Sequence, residues 1–344
     1  MKNLVYKIIV LAVIAGSVNI NAQMFRNTSK VGTTVASFLK IGAGSRALGM
    51  GGAYAAVSND IYSLYWNPAG ITRSQANGEV AFNHAEWLAD ISYDFAAVSL
   101  KVDDIGTLAF SVTSLSVPEE KVRTIAYPDG DGRVWDAGSL AFGIGYARQL
   151  TDKFSIGFNF KYIRESIWNT SASGVALDIG TYYVSPFNDM IIGASFSNFG
   201  TKMQLDGRDI LFNYDPDGDP EQGTNNILSK YDMGTFDLPL TFRLGLAMDV
   251  YKDRYFRVTT ALDATHPNDN TEYLNGGVEL SYNEMFMLRA GYKSIFLKDS
   301  EQSLTLGGGF NYEIPDMMTI GVNYAWADYG RLKSVQFLDL TIKY

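Results

Sequence analysis

The chain holds two histidines, His84 and His266, and no cysteine. The missing thiol excludes disulfides, Cys-metal sites and thiolate nucleophiles. A hydroxyl nucleophile needs an adjacent base that a third polar group orients. Ser92 follows His84 closely, but no signature surrounds the pair, and we expect the chain not to be an enzyme. Asp215-Pro216-Asp217-Gly218-Asp219-Pro220-Glu221 is the nearest thing to a metal site. Its carboxylates Asp215, Asp217, Asp219 and Glu221 alternate, as oxygen ligands for Ca²⁺ could. Two prolines restrict that loop, so an acidic surface loop is the simpler reading, and Asp129-Gly130-Asp131-Gly132 is a weaker match still. Gly42, Gly44 and Ala47, with Asp60 beyond, imitate a dinucleotide fingerprint. That fingerprint requires a parallel βαβ unit, which the rest of the chain does not provide, and no cofactor is expected.

The remaining charges fall at alternate positions. Lys161, Asp178, Arg243, Asp249, Arg257, Asp263, Glu279, Arg289 and Asp339, with Lys343, share a register opposite large apolar residues. Phe154, Ile156, Phe158, Phe160 and Tyr162, for example, are interleaved with Ser155, Gly157, Asn159 and Lys161. Period two means strands, whose successive side chains point to opposite faces. A transmembrane barrel presents the apolar face to lipid and the polar face to its lumen. Both signs of charge occur in the inward set, so it can form a salt-bridged wall or a polar lining that selects cargo.

About fourteen such segments follow Asn77, centred near Ala81, Phe95, Phe110, Phe142, Phe158, Leu177, Ala194, Leu244, Val258, Val278, Leu288, Leu306, Val322 and Leu338. The alternation slips between Ala96 and Val98, as at a bulge. Every second connection is short, such as Thr151-Asp152-Lys153 and Asn283-Glu284. Those between are mostly longer and more polar, above all Pro118 to Trp135 and Lys202 to Phe236. Short periplasmic turns and long extracellular loops mark an outer-membrane barrel. Tyr146, Tyr162, Tyr183, Tyr292, Tyr312 and Trp326 suit interfacial girdles. The fold expected is an all-β, 14-stranded antiparallel transmembrane barrel over residues 77–344, in contact with outer-membrane lipid. The last strand ends on an aromatic, Tyr344, of the kind the barrel-assembly machinery reads.

Lys2 and Lys7, an apolar run from Ile8 to Gly16 and Ala22 before Gln23 read as a signal peptide over residues 1–22. The run is too short for a membrane helix. Export and barrel together place the protein in the outer membrane of a Gram-negative-type bacterium. The 37 Asp and Glu exceed the 28 Lys and Arg, and no basic cluster appears, which argues against nucleic-acid binding.

Residues 23–76 do not alternate. Phe38 to Val57 is small, Gly-rich and apolar, and Asn67-Pro68 is a turn signal. This segment reads as a compact plug, within the barrel or beneath its periplasmic mouth. Gly44 to Asp60 (GSRALGMGGAYAAVSND) followed by Tyr65 to Ile71 (YWNPAGI) resembles the PorV/PorQ family, a branch of the FadL-like outer-membrane proteins. The resemblance implies a hatch whose turn, Asn67, Pro68 and Ala69, sits inside the barrel with Trp66 and Gly70 beside it as gating residues. It implies one of two roles. One is type IX secretion, carrying secreted proteins that bear a C-terminal signal domain. The other is a FadL-like channel for hydrophobic small molecules.

Overall fold

A computed structural model describes residues 30–216 and 226–344. Among these, fourteen antiparallel strands close into one barrel. They are β1 (Gly78–Glu86), β2 (Ser92–Val102), β3 (Gly106–Lys121), β4 (Val134–Thr151), β5 (Phe154–Ile167), β6 (Thr170–Val184) and β7 (Ile191–Gly200), then β11 (Thr241–Lys252), β12 (Phe256–Pro267), β13 (Tyr273–Tyr282), β14 (Phe286–Ile295), β15 (Leu304–Ile314), β16 (Met318–Asp328) and β17 (Ser334–Lys343). Closure comes from β1 against β17, with Phe82 opposite Leu340 and His84 opposite Leu338. Between β7 and β11 lie β8 (Asp206–Gly207), which pairs with β6, and the ribbon of β9 (Leu211–Tyr214) and β10 (Ile227–Lys230). All fourteen expected strand centres fall inside barrel strands. No helix among the described residues is long and apolar enough to cross a membrane.

The outward set is apolar and exposed, including Phe82, Val98, Phe110, Ile144, Phe160, Leu244, Leu262, Val278, Leu288, Leu306, Val322 and Leu338. That face meets lipid, while the backbone groups that a bilayer could not solvate are spent in the closed ladder. The inward residues are mostly Gly, Ala, Ser, Thr, Asn and the charged set, with a few large ones such as Tyr93, Phe95, Ile163 and Phe337.

Several local expectations need correction. β2 has no bulge: it pairs with β1 and β3 in unbroken register. The apparent slip arises because Tyr93 and Phe95 point inward, fully buried, where a polar residue was expected. Pro118 lies inside β3 rather than in a loop. The β3–β4 register shifts between Val117 and Glu120, where a residue lacking an N–H can be tolerated. The connection between β5 and β6 is only Trp168 and Asn169, so not every loop on that end is long. The strands β3 to β6 compensate by being the longest, with 14 to 18 residues each.

The N-terminal segment runs through the lumen from end to end. At the loop end, Val35 N–H donates to Asp237 O (3.1 Å), Thr34 Oγ1 donates to Asp269 (2.8 Å), Lys40 pairs with Asp269, and Ala36 N–H donates to Glu165 (3.0 Å). At the turn end, Thr72 Oγ1 bonds Ser155 Oγ (2.9 Å) and Arg73 donates to Asp152 O (3.0 Å). Between them lie two short helices, Ser45–Gly49 and Ser63–Trp66, and a 3₁₀ stretch, Pro68–Arg73. From Ala43 to Ile71 nearly every residue is buried. The expected signal peptide over residues 1–22 lies outside the described residues.

Candidate functional site

The lumen is where the inward charges, the small residues and the N-terminal segment meet. Bare glycines make the fit possible. A Cβ on Gly193 would sit 2.0 Å from Ala55 O, one on Gly157 2.4 Å from Ala69 N, and one on Gly291 2.2 Å from Gly51 N. The segment's backbone therefore rests directly on the backbone of the wall.

Asn67 ties the turn together. Its Nδ2 donates to Ala55 O (2.7 Å) and to Thr181 O of β6 (2.9 Å), and its Oδ1 caps Ala69 N (3.3 Å). Pro68 opens the 3₁₀ stretch, a position where the absent N–H costs nothing. Gly70 is obligatory, since a Cβ would lie 2.4 Å from Ser58 O. Trp66 is buried; its Nε1 donates to Ala43 O (2.8 Å), and its ring packs edge-on to Tyr65 at 5.1 Å. The guanidinium of Arg243 lies over the same ring at 5.3 Å.

Three of the inward carboxylates, Glu279, Asp263 and Asp339, bind this segment, and most of the other inward charges pair along the wall. Glu279 accepts from Arg46 Nε and Nη2 (2.8 and 2.9 Å), from Arg289 Nε (2.8 Å) and from Arg257 (3.2 Å). Arg257 also forks onto Glu284 at 2.7 Å. Asp263 accepts the N–H groups of Tyr54 and Ala55 (2.9 and 2.8 Å), and Asp339 accepts Ser45 N–H (2.7 Å) and Asn323 Nδ2 (2.8 Å). Lys161 pairs with Asp178 at 2.8 Å, Asp249 accepts from Thr259 at 2.6 Å, and Lys343 reaches Glu79 at 3.4 Å. A charge removed from water must be matched by partners; Glu279, Asp263 and Asp339 find theirs partly on the segment, while Lys161 with Asp178, Asp249 with Thr259 and Lys343 with Glu79 are matched within the wall.

A small pocket, about 20 Å³, lies between the segment and β2, β3, β5, β6, β7 and β11. Its lining is mixed: Leu39, Leu64, Tyr65 and Phe95 face Asn159, Lys161, Asp178, Asn198 and Arg243. That is room for a single water-sized occupant. An open cleft of about 470 Å³ lies at the loop end, where Tyr292, Ile295, Phe296 and Leu297 face Ser300 and Gln302. None of its lining residues belongs to the N-terminal segment.

A family model described as "Type IX secretion system protein PorV" matches residues 24–267. The chain belongs to the PorV family. No curated protein sequence matches it. Among solved structures it is similar to the CymD monoaromatic hydrocarbon channel (12% identity, 88% of this chain, 96% of that one, TM-score 0.53). It is also similar to the Ralstonia pickettii toluene transporter TbuX (12%, 88% and 97%, 0.53), and to a Pseudomonas aeruginosa FadL homologue (13%, 88% and 98%, 0.51). At such identities the shared property is the FadL-like barrel, which with family membership places the protein in the outer membrane.

Within this PorV-family barrel the other sequence-derived candidates separate. His84 Nδ1 contacts Asp94 Oδ1 (2.7 Å) on the half-exposed outer wall; Ser92 sits opposite Glu86, not His84. His266 contacts Glu272 at 2.8 Å near the loop end. Of the calcium candidates, Asp217, Asp219 and Glu221 lie outside the described residues. Among the described residues no group of three or more His, Cys, Asp or Glu could hold a metal. Sequence reasoning passed over Arg46, Tyr54 and Asp269, and met Asp60 only in the imitation of a dinucleotide fingerprint. Arg46 and Asp60 stand alone as charges in an otherwise apolar, glycine-rich stretch. A charge there is either exposed or paired in the interior, and Tyr54 Oη donates to Asp60 (2.5 Å) while Arg46 binds Glu279.

Proposed function

We propose that this PorV-family barrel is a non-enzymatic component of type IX secretion that binds secreted protein cargo at the cell surface. The turn end faces the periplasm and the loop end faces outward. The observation that carries this reading is an N-terminal segment buried against the inward face of the wall, with buried ion pairs and only a small pocket, about 20 Å³, beside it. A filled lumen leaves the loop end as the working surface. There the connections 122–133 and 201–240 and the tall strands β3 to β6 offer area for a protein partner. The ribbon of β9 and β10 adds exposed apolar side chains, Tyr214, Leu228 and Tyr231, in the pattern that marks interaction sites. In this reading residues 36–73 are a static plug, and Trp66, Asn67, Pro68, Ala69 and Gly70 anchor it rather than gate a path.

The competing reading, a channel for hydrophobic small molecules, draws on the fold shared with hydrocarbon channels. It requires a cavity large enough for such a molecule bounded by plug and wall, and the pocket between them here is only about 20 Å³. The two separate on one preparation. The barrel extracted from native outer membranes in mild detergent carries secreted proteins with a common C-terminal domain if the proposal holds. A stoichiometric lipophile with no protein partner supports the channel instead. Assembly through recognition of Tyr344 belongs to the same proposal, and its deletion lowers the folded barrel in the membrane.

A further inference from the structure

We infer that the N-terminal segment is an internal template for barrel closure: it binds the inward faces of the first and last strands before they pair, rather than threading into a finished barrel. The seam between β1 and β17 joins the two ends of the barrel sequence. Asn83 of β1 and Asp339 of β17 stand opposite each other across it. Both are buried, and each accepts one of two consecutive amides of the segment. Gly44 N–H donates to Asn83 Oδ1 (3.5 Å) and Ser45 N–H to Asp339 Oδ2 (2.7 Å). Asn83 Nδ2 then donates across the seam to Leu338 O (3.2 Å), and Asp339 Oδ1 accepts Asn323 Nδ2 of β16 (2.8 Å). The start of the helix Ser45–Gly49 therefore bridges the two strands whose pairing closes the barrel.

That pairing brings together the two strands farthest apart along the chain, and the entropy cost of closing a loop grows with its length. A segment already bound to both strands lowers the cost by holding them side by side. Entry after closure meets a steric bar instead. The backbone of residues 49–56 lies directly on bare glycines around the wall. A Cβ would stand 2.9 Å from Ala56 N on Gly245 of β11, 2.3 Å from Met50 O on Gly277 of β13, and 3.2 Å from Gly49 Cα on Gly307 of β15. Residues 34–40 are held at the loop end, where Thr34 and Lys40 bind Asp269. Insertion from the periplasm would have to carry them the length of a closed lumen, past the inward Tyr93, Phe95 and Arg243. Closure around the segment needs no such passage, and it serves the barrel whichever cargo it handles.

The test refolds the full-length chain from urea into detergent micelles and follows the closed barrel by its heat-sensitive gel shift. Ala47→Cys places a lone thiol in the buried helix of a chain without cysteine, and maleimide pulses during refolding read its protection. The expected result is protection no later than the closed band appears. A closed band in which Ala47→Cys still reacts freely overturns the inference. Independently, Leu48→Pro removes the N–H bonded to Gly44 O (3.0 Å) and breaks the helix beside the seam. The closed band then forms about tenfold more slowly or not at all, as the loss of a contact made before the transition state requires. A Leu48→Pro chain that closes at the wild-type rate overturns the inference as well, and the Ala47→Cys result decides where that variant does not fold.

Discussion

The seating of the plug on bare glycines makes Gly193→Ala the sharpest perturbation available. A Cβ there would stand 2.0 Å from Ala55 O and 2.5 Å from its carbon, against ordinary contact from 3.4 Å. The plug must therefore retreat by about 1.4 Å at Ala55. Ala55 N–H donates to Asp263 at 2.8 Å, and Ala55 O accepts Asn67 Nδ2 at 2.7 Å and Ser58 Oγ at 3.2 Å, so such a shift stretches bonds that hold both the plug and its turn. Overpacking costs about 1–3 kcal/mol and each weakened hydrogen bond about 1 kcal/mol. With three such bonds stretched, together they give about 4–6 kcal/mol against the seated plug, which raises the population of the unseated form on the order of 10³–10⁴-fold. The ladder that β7 makes with β6 and β11 runs through backbone groups and survives. Limited proteolysis of the folded barrel in detergent reads the difference: cleavage within residues 50–60 accelerates, while the heat-sensitive gel shift of the barrel is retained. Gly308→Ala is the control, because its Cβ would meet nothing closer than Met287 O at 3.9 Å. A Gly193→Ala plug as protease-resistant as the wild type would refute the reasoning.

Further outcomes follow from the same geometry. Glu279→Gln leaves Arg46, Arg289 and Arg257 without their shared carboxylate, and breaking a buried pair costs about 3–5 kcal/mol. The thermal midpoint falls and residues near Arg46 become protease-sensitive; an unchanged midpoint contradicts the latch. Because the chain has no cysteine, Val31→Cys and Gln75→Cys report which way the plug threads. In intact cells a membrane-impermeant maleimide labels Val31→Cys at the loop end and spares Gln75→Cys at the turn end, and the reverse pattern inverts the topology. On the loop surface, Arg331 donates to Glu301 through Nε at 2.7 Å and holds that carboxyl below the usual range. The clasp between those loops therefore contributes stability above the ordinary carboxylate pKa and loses it as pH falls through the lowered value. Hydrogen exchange at residues 300–303 accelerates only in strong acid, and Glu301→Gln accelerates it at neutral pH.

How much could be read in advance depended on whether the pattern was local. The strands were legible because each alternates over its own length. β2 misled because Tyr93 and Phe95 are inward aromatics whose partner, Tyr62 against Phe95 at 5.7 Å, comes from the plug. The extensions of β3 to β6 beyond the expected loop boundary carry polar, turn-like residues such as Pro118 in strand conformation. Asn67 and Pro68 were legible as a turn, but the three arginines on Glu279 were not. Their meeting depends on strands β12, β13 and β14 being brought beside the helix Ser45–Gly49, a relation no window of sequence contains. The threading of the plug from loop end to turn end was equally invisible, since Lys40 with Asp269 and Thr34 with Asp237 are contacts across most of the chain.

The most direct test of a sealed, cargo-binding barrel is quantitative mass spectrometry of the complex captured from native outer membranes. Wild-type barrel is compared with a variant whose ribbon residues Tyr214, Leu228 and Tyr231 are changed to Ser. The account predicts secreted proteins sharing a C-terminal domain on the wild type, and their loss from a variant that still folds and keeps its plug. Equal cargo recovery from both would contradict the assigned surface. A barrel that arrives with a bound lipophile and no protein would contradict the account as a whole.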